Sequence, residues 1–192
     1  PPQRPEECIE ELRALLQDSI RLRLQADVPV GVALSGGIDS SIISELAMQN
    51  SGAQGQRTEL FSAINPGSKE DESEHIDVMA RHLCTDVQRF TLDPDEGEGL
   101  FGLLKTCIGH NDGPVTSFSN LLFYKLMQSA RSAGITVVLT GQGADEAFCG
   151  YRKYPILEIK RLIKARRFAE ATRLASGFIA NGTILPQFNL TE

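Results

Sequence analysis

The sequence predicts a three-layer α/β/α domain around a parallel sheet with strand order 3-2-1-4. Three observations point to it. Short apolar runs alternate with helical patterns along the chain, with no internal repeat, as in a parallel sheet with right-handed crossovers. The first run, Val30 to Leu34, breaks into Ser35-Gly36-Gly37 and then into a new helical pattern. The fourth, Ile135 to Leu139, breaks into a second glycine turn that carries acidic residues. In this order strands 1 and 4 adjoin at the centre. Chain direction reverses there, and ligands bind in that crevice beyond the strand carboxyl ends.

The elements follow in order. Pro1 to Pro5 reads as the end of a linker. Residues 6–24 read as a helix, because Ile9, Leu12, Leu16 and Ile20 recur at spacings of three and four. Arg13, Arg21 and Arg23 form its solvated face. The first strand follows Pro29. The helix after the glycine turn carries Ile42, Ile43, Leu46 and Ala47, and is expected to stop near Asn50-Ser51-Gly52. Gly52 to Arg57 is a polar loop. Leu60 to Ile64 is the second strand, closed by Asn65-Pro66-Gly67. Ser68 to Ser73 is an acidic turn suited to capping the next helix, lined by Ile76, Met79 and Leu83. Val87 to Leu92 is a more polar third strand, expected near a sheet edge. Asp93-Pro94-Asp95 starts a helical stretch with Leu100, Leu103, Leu104, Cys107 and Ile108 apolar. After a loop over Asn111 to Thr116, residues 118–133 are helical and Gly134 is a stop. Ile135 to Leu139 is strongly β-branched and reads as a buried strand.

Bulk properties narrow the function. The chain has 192 residues, of which 41% are apolar, enough for one well-buried α/β domain. A net charge of −6 argues against a nucleic-acid surface. No signal peptide and no apolar run near 18 residues occurs, so the chain reads as soluble and cytoplasmic, with no membrane partner. Cys8, Cys84, Cys107 and Cys149 form no C-x-x-C pair and read as reduced, mostly packing thiols. His75, His82 and His110 read as structural. Lys160, Arg161, Lys164, Arg166 and Arg167 read as a solvated helix face.

The chemistry concentrates in two turns. A buried strand feeding a glycine turn and a helix N-terminus is a ready anion site. Gly36 and Gly37 let backbone N–H groups close on phosphate oxygens. Ser35, Ser40 and Ser41 can add hydroxyl donors, and Asp39 can hold Mg²⁺. No Lys follows the glycines, so this is not a Walker A loop, and it is not G-x-G-x-x-G either. The pattern S-G-G-x-D-S is similar to the phosphate loop of the ATP pyrophosphatases, which cleave ATP between its α and β phosphates. In the second turn, Thr140-Gly141-Gln142-Gly143-Ala144-Asp145-Glu146, the glycines allow close approach and Asp145 would face Asp39 across the crevice. Two carboxylates there would repel ATP phosphates unless a divalent ion lies between them, so Mg²⁺ on Asp39 and Asp145 is the simplest account.

Together with Gly150-Tyr151, the two turns resemble the synthetase domain of class B, glutamine-dependent asparagine synthetase, a PP-loop enzyme with an adenine nucleotide alpha hydrolase-like fold. The resemblance runs from about residue 6 to about residue 165, and Asp71-Glu72 and Asp112-Gly113-Pro114 match it too. It implies a linker over 1–5, a synthetase domain over 6–168 and the start of a C-terminal helical part over 169–192. It also implies that ATP activates the aspartate side chain as β-aspartyl-AMP, releasing pyrophosphate, and that ammonia then gives asparagine. Leu34 and Ala63 match positions that contact adenosine, and Thr140 and Gly141 match the pair on the ribose and α-phosphate side. Gln142, Asp145 and Glu146 fall on the catalytic turn. The implied partners are aspartate and ammonia, an N-terminal glutaminase domain and, as one option, a second copy in a homodimer.

Three departures stand out. The glutaminase needs Cys as first residue, this chain starts Pro1-Pro2, and Cys8 cannot serve. An Arg-x-Pro-Phe-Leu-Asp type segment and a pyrophosphate-binding Lys do not occur before Glu192, so this stretch is expected to be inactive alone. Gln142 stands where relatives have Glu, and an amide cannot take a proton. Two other readings stay open. One is a different amide-forming or β-lactam-forming synthetase, and the other is a nucleotide-binding module without catalysis.

Overall fold

The computed structural model describes residues 4–54, 58–68, 71–91, 99–148, 150, 151 and 153–180. The chain divides into two compact units, Pro1–Gly141 and Gln142–Glu192.

The first unit holds α1 (Pro5–Arg23), β1 (Val30–Ala33), α2 (Ile38–Gln54), β2 (Glu59–Ala63), α3 (Ser73–Leu83), β3 (Val87–Phe90), α4 (Gly99–Asn111), α5 (Phe118–Ser132) and β4 (Val137–Leu139). Its four strands are all parallel and ordered β3-β2-β1-β4. The topology read from the alternating pattern is therefore the one observed. Residues 4–23 start as a helix for local reasons. Pro5 occupies the first turn, the Glu7 carboxylate accepts the Arg4 backbone N–H at 3.2 Å, and acids lead while Arg21 and Arg23 close.

Alternation along the strands sorts side chains to two faces. Val30, Val32, Leu34 and Leu60 pack with Ile20, Leu24, Ala47 and Ile76 on the face covered by α1, α2 and α3. Phe61 packs with Leu126, Ala130 and Ile135 on the face covered by α5. Gly31 looks toward that second face. A Cβ there would lie 2.9 Å from Phe61 Cε2 and 3.1 Å from Ile135 Cγ2, so the ring closes directly over the strand.

Several expectations change. The fourth strand is not buried at the sheet's centre. Among the described residues β4 is an edge strand, and Val137 is 37% exposed because nothing pairs beyond it. The other edge, β3, is polar as expected, with Gln88 bonded across to Glu59 at 2.6 Å and Arg89 to Asp77 at 2.5 Å. Helix α2 does not stop at Asn50-Ser51-Gly52 but runs to Gln54. Asn50 turns its amide back onto Leu46 O at 2.7 Å, and Ser51 bonds Thr58, which ties the last turn to the start of β2. Cys107 packs inside, whereas Cys8 and Cys84 are exposed. The helix start at Asp93-Pro94-Asp95, the end of the third strand at Leu92, Cys149, part of the 52–57 and 68–73 loops, and 181–192 lie outside the described residues.

The second unit holds α6 (Ala144–Phe148), α7 (Lys153–Lys164) and α8 (Phe168–Ala180). Helices α7 and α8 pack on each other, burying Leu162 and Ala171. Arg161 is held by Glu158 of its own helix, and Arg167, just before α8, by Glu170 in the first turn of α8. Lys160, Lys164 and Arg166 are exposed, as a solvated face requires. Among the described residues no helix is long and apolar enough to cross a membrane.

Candidate functional site

The glycine turn sits at the carboxyl end of β1, and its hydrogen bonds close on themselves. Ser40 Oγ donates to Gly37 O at 3.1 Å, so its single hydrogen is used there. It therefore accepts both from the Ser35 N–H at 3.1 Å and from the Ser35 hydroxyl at 3.0 Å. Ser41 sends its Oγ to Gly37 O at 2.8 Å and its N–H to the same oxygen at 3.0 Å. One carbonyl thus collects three donors, and all three serine hydroxyls expected to face a phosphate donate within the turn. The groups left to face an anion are the first-turn N–H groups of α2, which have no intrahelical acceptors.

Gly36 requires its identity. Its φ is +79°, and a Cβ would lie 2.9 Å from His75 Cβ and 3.3 Å from Glu72 Cβ in the first turn of α3. That places the Asp71-Glu72 segment directly behind the turn. Asp71 organises the segment by accepting from Ser73 Oγ at 2.6 Å and from the Ser73 N–H at 3.3 Å. These bonds hold its carboxyl below the ordinary range, the Ser73 hydroxyl most of all.

Leu34 is 1% exposed, so its side chain belongs to the core. Its N–H donates to Phe61 O at 2.8 Å, and its carbonyl accepts the buried Ser62 hydroxyl at 2.6 Å. Ser62 was not singled out from the sequence. A lone hydroxyl inside the apolar run Leu60 to Ile64 was the available signal. Ala63 ends β2 half-buried. Gly141 follows β4 so closely on α2 that a Cβ would lie 3.1 Å from Ser40 N and 3.2 Å from Asp39 Cβ. Thus Leu34 to Ser41, Ala63 and the Thr140-Gly141 pair all lie at strand carboxyl ends of the first unit. Ile38 stands 78% exposed at the head of α2.

Gln142, Asp145 and Glu146 belong to the second unit. Gly143, at φ +92°, turns the chain into α6, and Ala147 N–H returns to Gly143 O at 3.2 Å. Gln142 and Glu146 are exposed and Asp145 is half-buried. Tyr151, quoted as part of the motif but given no role from sequence, donates its hydroxyl to Glu146 Oε1 at 2.7 Å. That bond holds the Glu146 carboxyl below its ordinary range and pushes the Tyr151 phenol up. Among the described residues no cluster of three or more His, Cys, Asp or Glu could hold a metal by protein ligands alone. Mg²⁺ ordinarily takes one or two carboxylates plus phosphate oxygens and water, a donor set that single carboxylates can serve.

Comparison with known proteins gives this arrangement its relatives. The amidase chyE of Penicillium rubens is 30% identical over 157 residues, covering 76% of this chain and 23% of that protein. A putative glutamine-hydrolysing asparagine synthetase of Methanocaldococcus jannaschii is 33% identical over 143 residues, covering 74% and 26%. Asparagine synthetase B of Escherichia coli is 32% identical over 153 residues, covering 73% and 27%. The chain thus spans about a quarter of the length of these relatives. The asparagine synthase profile matches residues 11–189, nearly the whole sequence, and the chain belongs to the asparagine synthase family.

Proposed function

We propose that this chain is the ATP-using part of an amide-forming synthetase that activates the side-chain carboxylate of aspartate as β-aspartyl-AMP, releases pyrophosphate and passes the acyl group to ammonia. The observation that carries the reading is the Ser35–Ser41 turn. Its hydroxyls fix its shape, while the α2 N-terminus opens beside Gly141 at the carboxyl end of β1. Backbone donors at a helix N-terminus suit the departing pyrophosphate, because they oppose developing negative charge without reorganising.

The residues take roles by position. Leu34 and Ala63 lie on the adenosine side, and Thr140 and Gly141 on the ribose and α-phosphate side. Asp39 would hold Mg²⁺, whose contribution is to neutralise phosphate charge. Gln142 orients substrate through its amide, donating and accepting. It takes no proton, and adenylation of an ionised carboxylate needs none removed. Two of the longer relatives are named as glutamine-hydrolysing, and we assign ammonia from a glutaminase domain as the nitrogen source here.

Calorimetry of the chain with ATP, with and without Mg²⁺, tests the nucleotide site. Measurable binding that Mg²⁺ strengthens is expected, and equal affinity without the ion overturns the Asp39 assignment. A second reading is favoured by the relative named as an amidase and by Gln142, namely an amide-forming enzyme with another acyl substrate. AMP and pyrophosphate release by the full-length protein with aspartate, against other carboxylates, separates the two. No release with any carboxylate would leave a nucleotide-binding module.

A further inference from the structure

The Glu146 carboxylate is held from one side by a small aromatic assembly. Tyr151 donates to its Oε1 at 2.7 Å. Lys153 Nζ lies 5.0 Å from the centroid of the Tyr151 ring and 5.3 Å from that of Tyr154. The two rings tilt at 51° with centroids 5.9 Å apart. A cation against a phenol ring draws electron density from it, which makes the O–H a better donor. Gly150 permits the turn. Its N–H bonds Asp145 O at 2.9 Å, and a Cβ there would overlap the Asp145 carboxylate. Asp145 therefore lies against bare backbone while Glu146 lies against a phenol.

We propose that Tyr151, backed by Lys153, is a positioning residue that fixes the Glu146 carboxylate in one orientation, so that the second motif presents an oriented anion beside the neutral amide of Gln142. Helix α6 is five residues long and buries none of them, so packing does not orient Glu146. The phenol does. An oriented anion suits ammonia or a neutral amine, which it can hold by accepting an N–H hydrogen bond while the nitrogen lone pair stays free to attack. That use rests on the synthetase reading above, whereas the Tyr151–Glu146 contact does not.

Tyrosine emission tests the contact in this chain, which has three tyrosines and no tryptophan. An ionised carboxylate accepting the phenol hydrogen quenches the excited ring more strongly than a neutral amide does. Glu146→Gln should raise tyrosine emission. Reciprocally, Tyr151→Phe should move the Glu146 carboxyl ¹³C resonance at constant pH. Either signal staying still, in variants whose circular dichroism matches the native chain, overturns the positioning role. In the full-length protein Tyr151→Phe should lower kcat about tenfold with KM for ATP within about twofold. An unchanged kcat overturns the role as well. Absence of ATP-dependent pyrophosphate release from the native full-length protein overturns the synthetase reading instead, and with it the use of the anion, while the spectroscopic contact stands.

Discussion

Around Gly36 and Gly37 the serine hydroxyls close on the turn itself, behind strands whose side chains are buried. Around Asp145 and Glu146 the turn leads into a helix that buries nothing, and the Glu146 carboxylate is held by Tyr151, five residues along the chain. The first turn takes its shape from the sheet, and side-chain chemistry only locks it. The second takes its shape from glycines and a tyrosine. Substitutions of the glycines and serines that shape the first should therefore cost fold as well as ligand, and those in the second should cost function alone.

The largest effect should come from Gly36→Val. The φ of +79° and the approach to His75 combine strain with a clash, and about 3 kcal/mol of stability should be lost in urea melts together with ATP binding. Unchanged stability would mean the turn is not anchored by α3. Asp39→Asn comes next. It should leave the melt near native and remove about tenfold of the Mg²⁺-dependent ATP affinity in calorimetry. Ser40→Ala should destabilise by about 1–2 kcal/mol, because it orphans the Ser35 N–H and hydroxyl, whereas Ser41→Ala should cost about 0.5 kcal/mol. Equal costs would show that Ser40 is not the hub of the turn. Glu146→Gln should be the smallest, moving the thermal midpoint by no more than about 2 °C, since it touches an exposed side chain on an unburied helix. A large drop there would erase the contrast between the turns.

Much of this architecture was legible. Four apolar runs separated by helical periods, with glycine turns after the first and fourth, dictate a parallel sheet and place both turns at strand carboxyl ends. The illegible parts are those decided by partners distant in sequence. The β-branched run at 135–139 reads as buried because its composition does, yet burial also needs a neighbour on each side, and among the described residues β4 has one. Asn50-Ser51-Gly52 has the composition of a helix stop, but Thr58 supplies a hydroxyl that keeps the last turn helical. The serines of the first turn look like phosphate donors because donor capacity can be read from residue type, while the acceptor cannot. Gly37 O was the competing acceptor. Tyr151 was visible, but that it bonds Glu146 depends on how the turn at Gly150 folds back.

The parallel pairing of Val30 with Val137 carries a kinetic consequence. Closing a loop of roughly a hundred residues costs about 4 kcal/mol of chain entropy before any contact between the two strands rewards it. Pairing of β1 with β2 closes a far shorter loop, joining Gly31 to Glu59. During synthesis β1, β2 and β3 can therefore assemble while β4 is still being made. Gly141, which abuts Asp39 and Ser40, cannot arrive until β4 docks. The Gly141 wall of the turn is in this sense the last stone laid, and on the proposed reading ATP, by binding only finished molecules, would draw the slowest folding step toward completion.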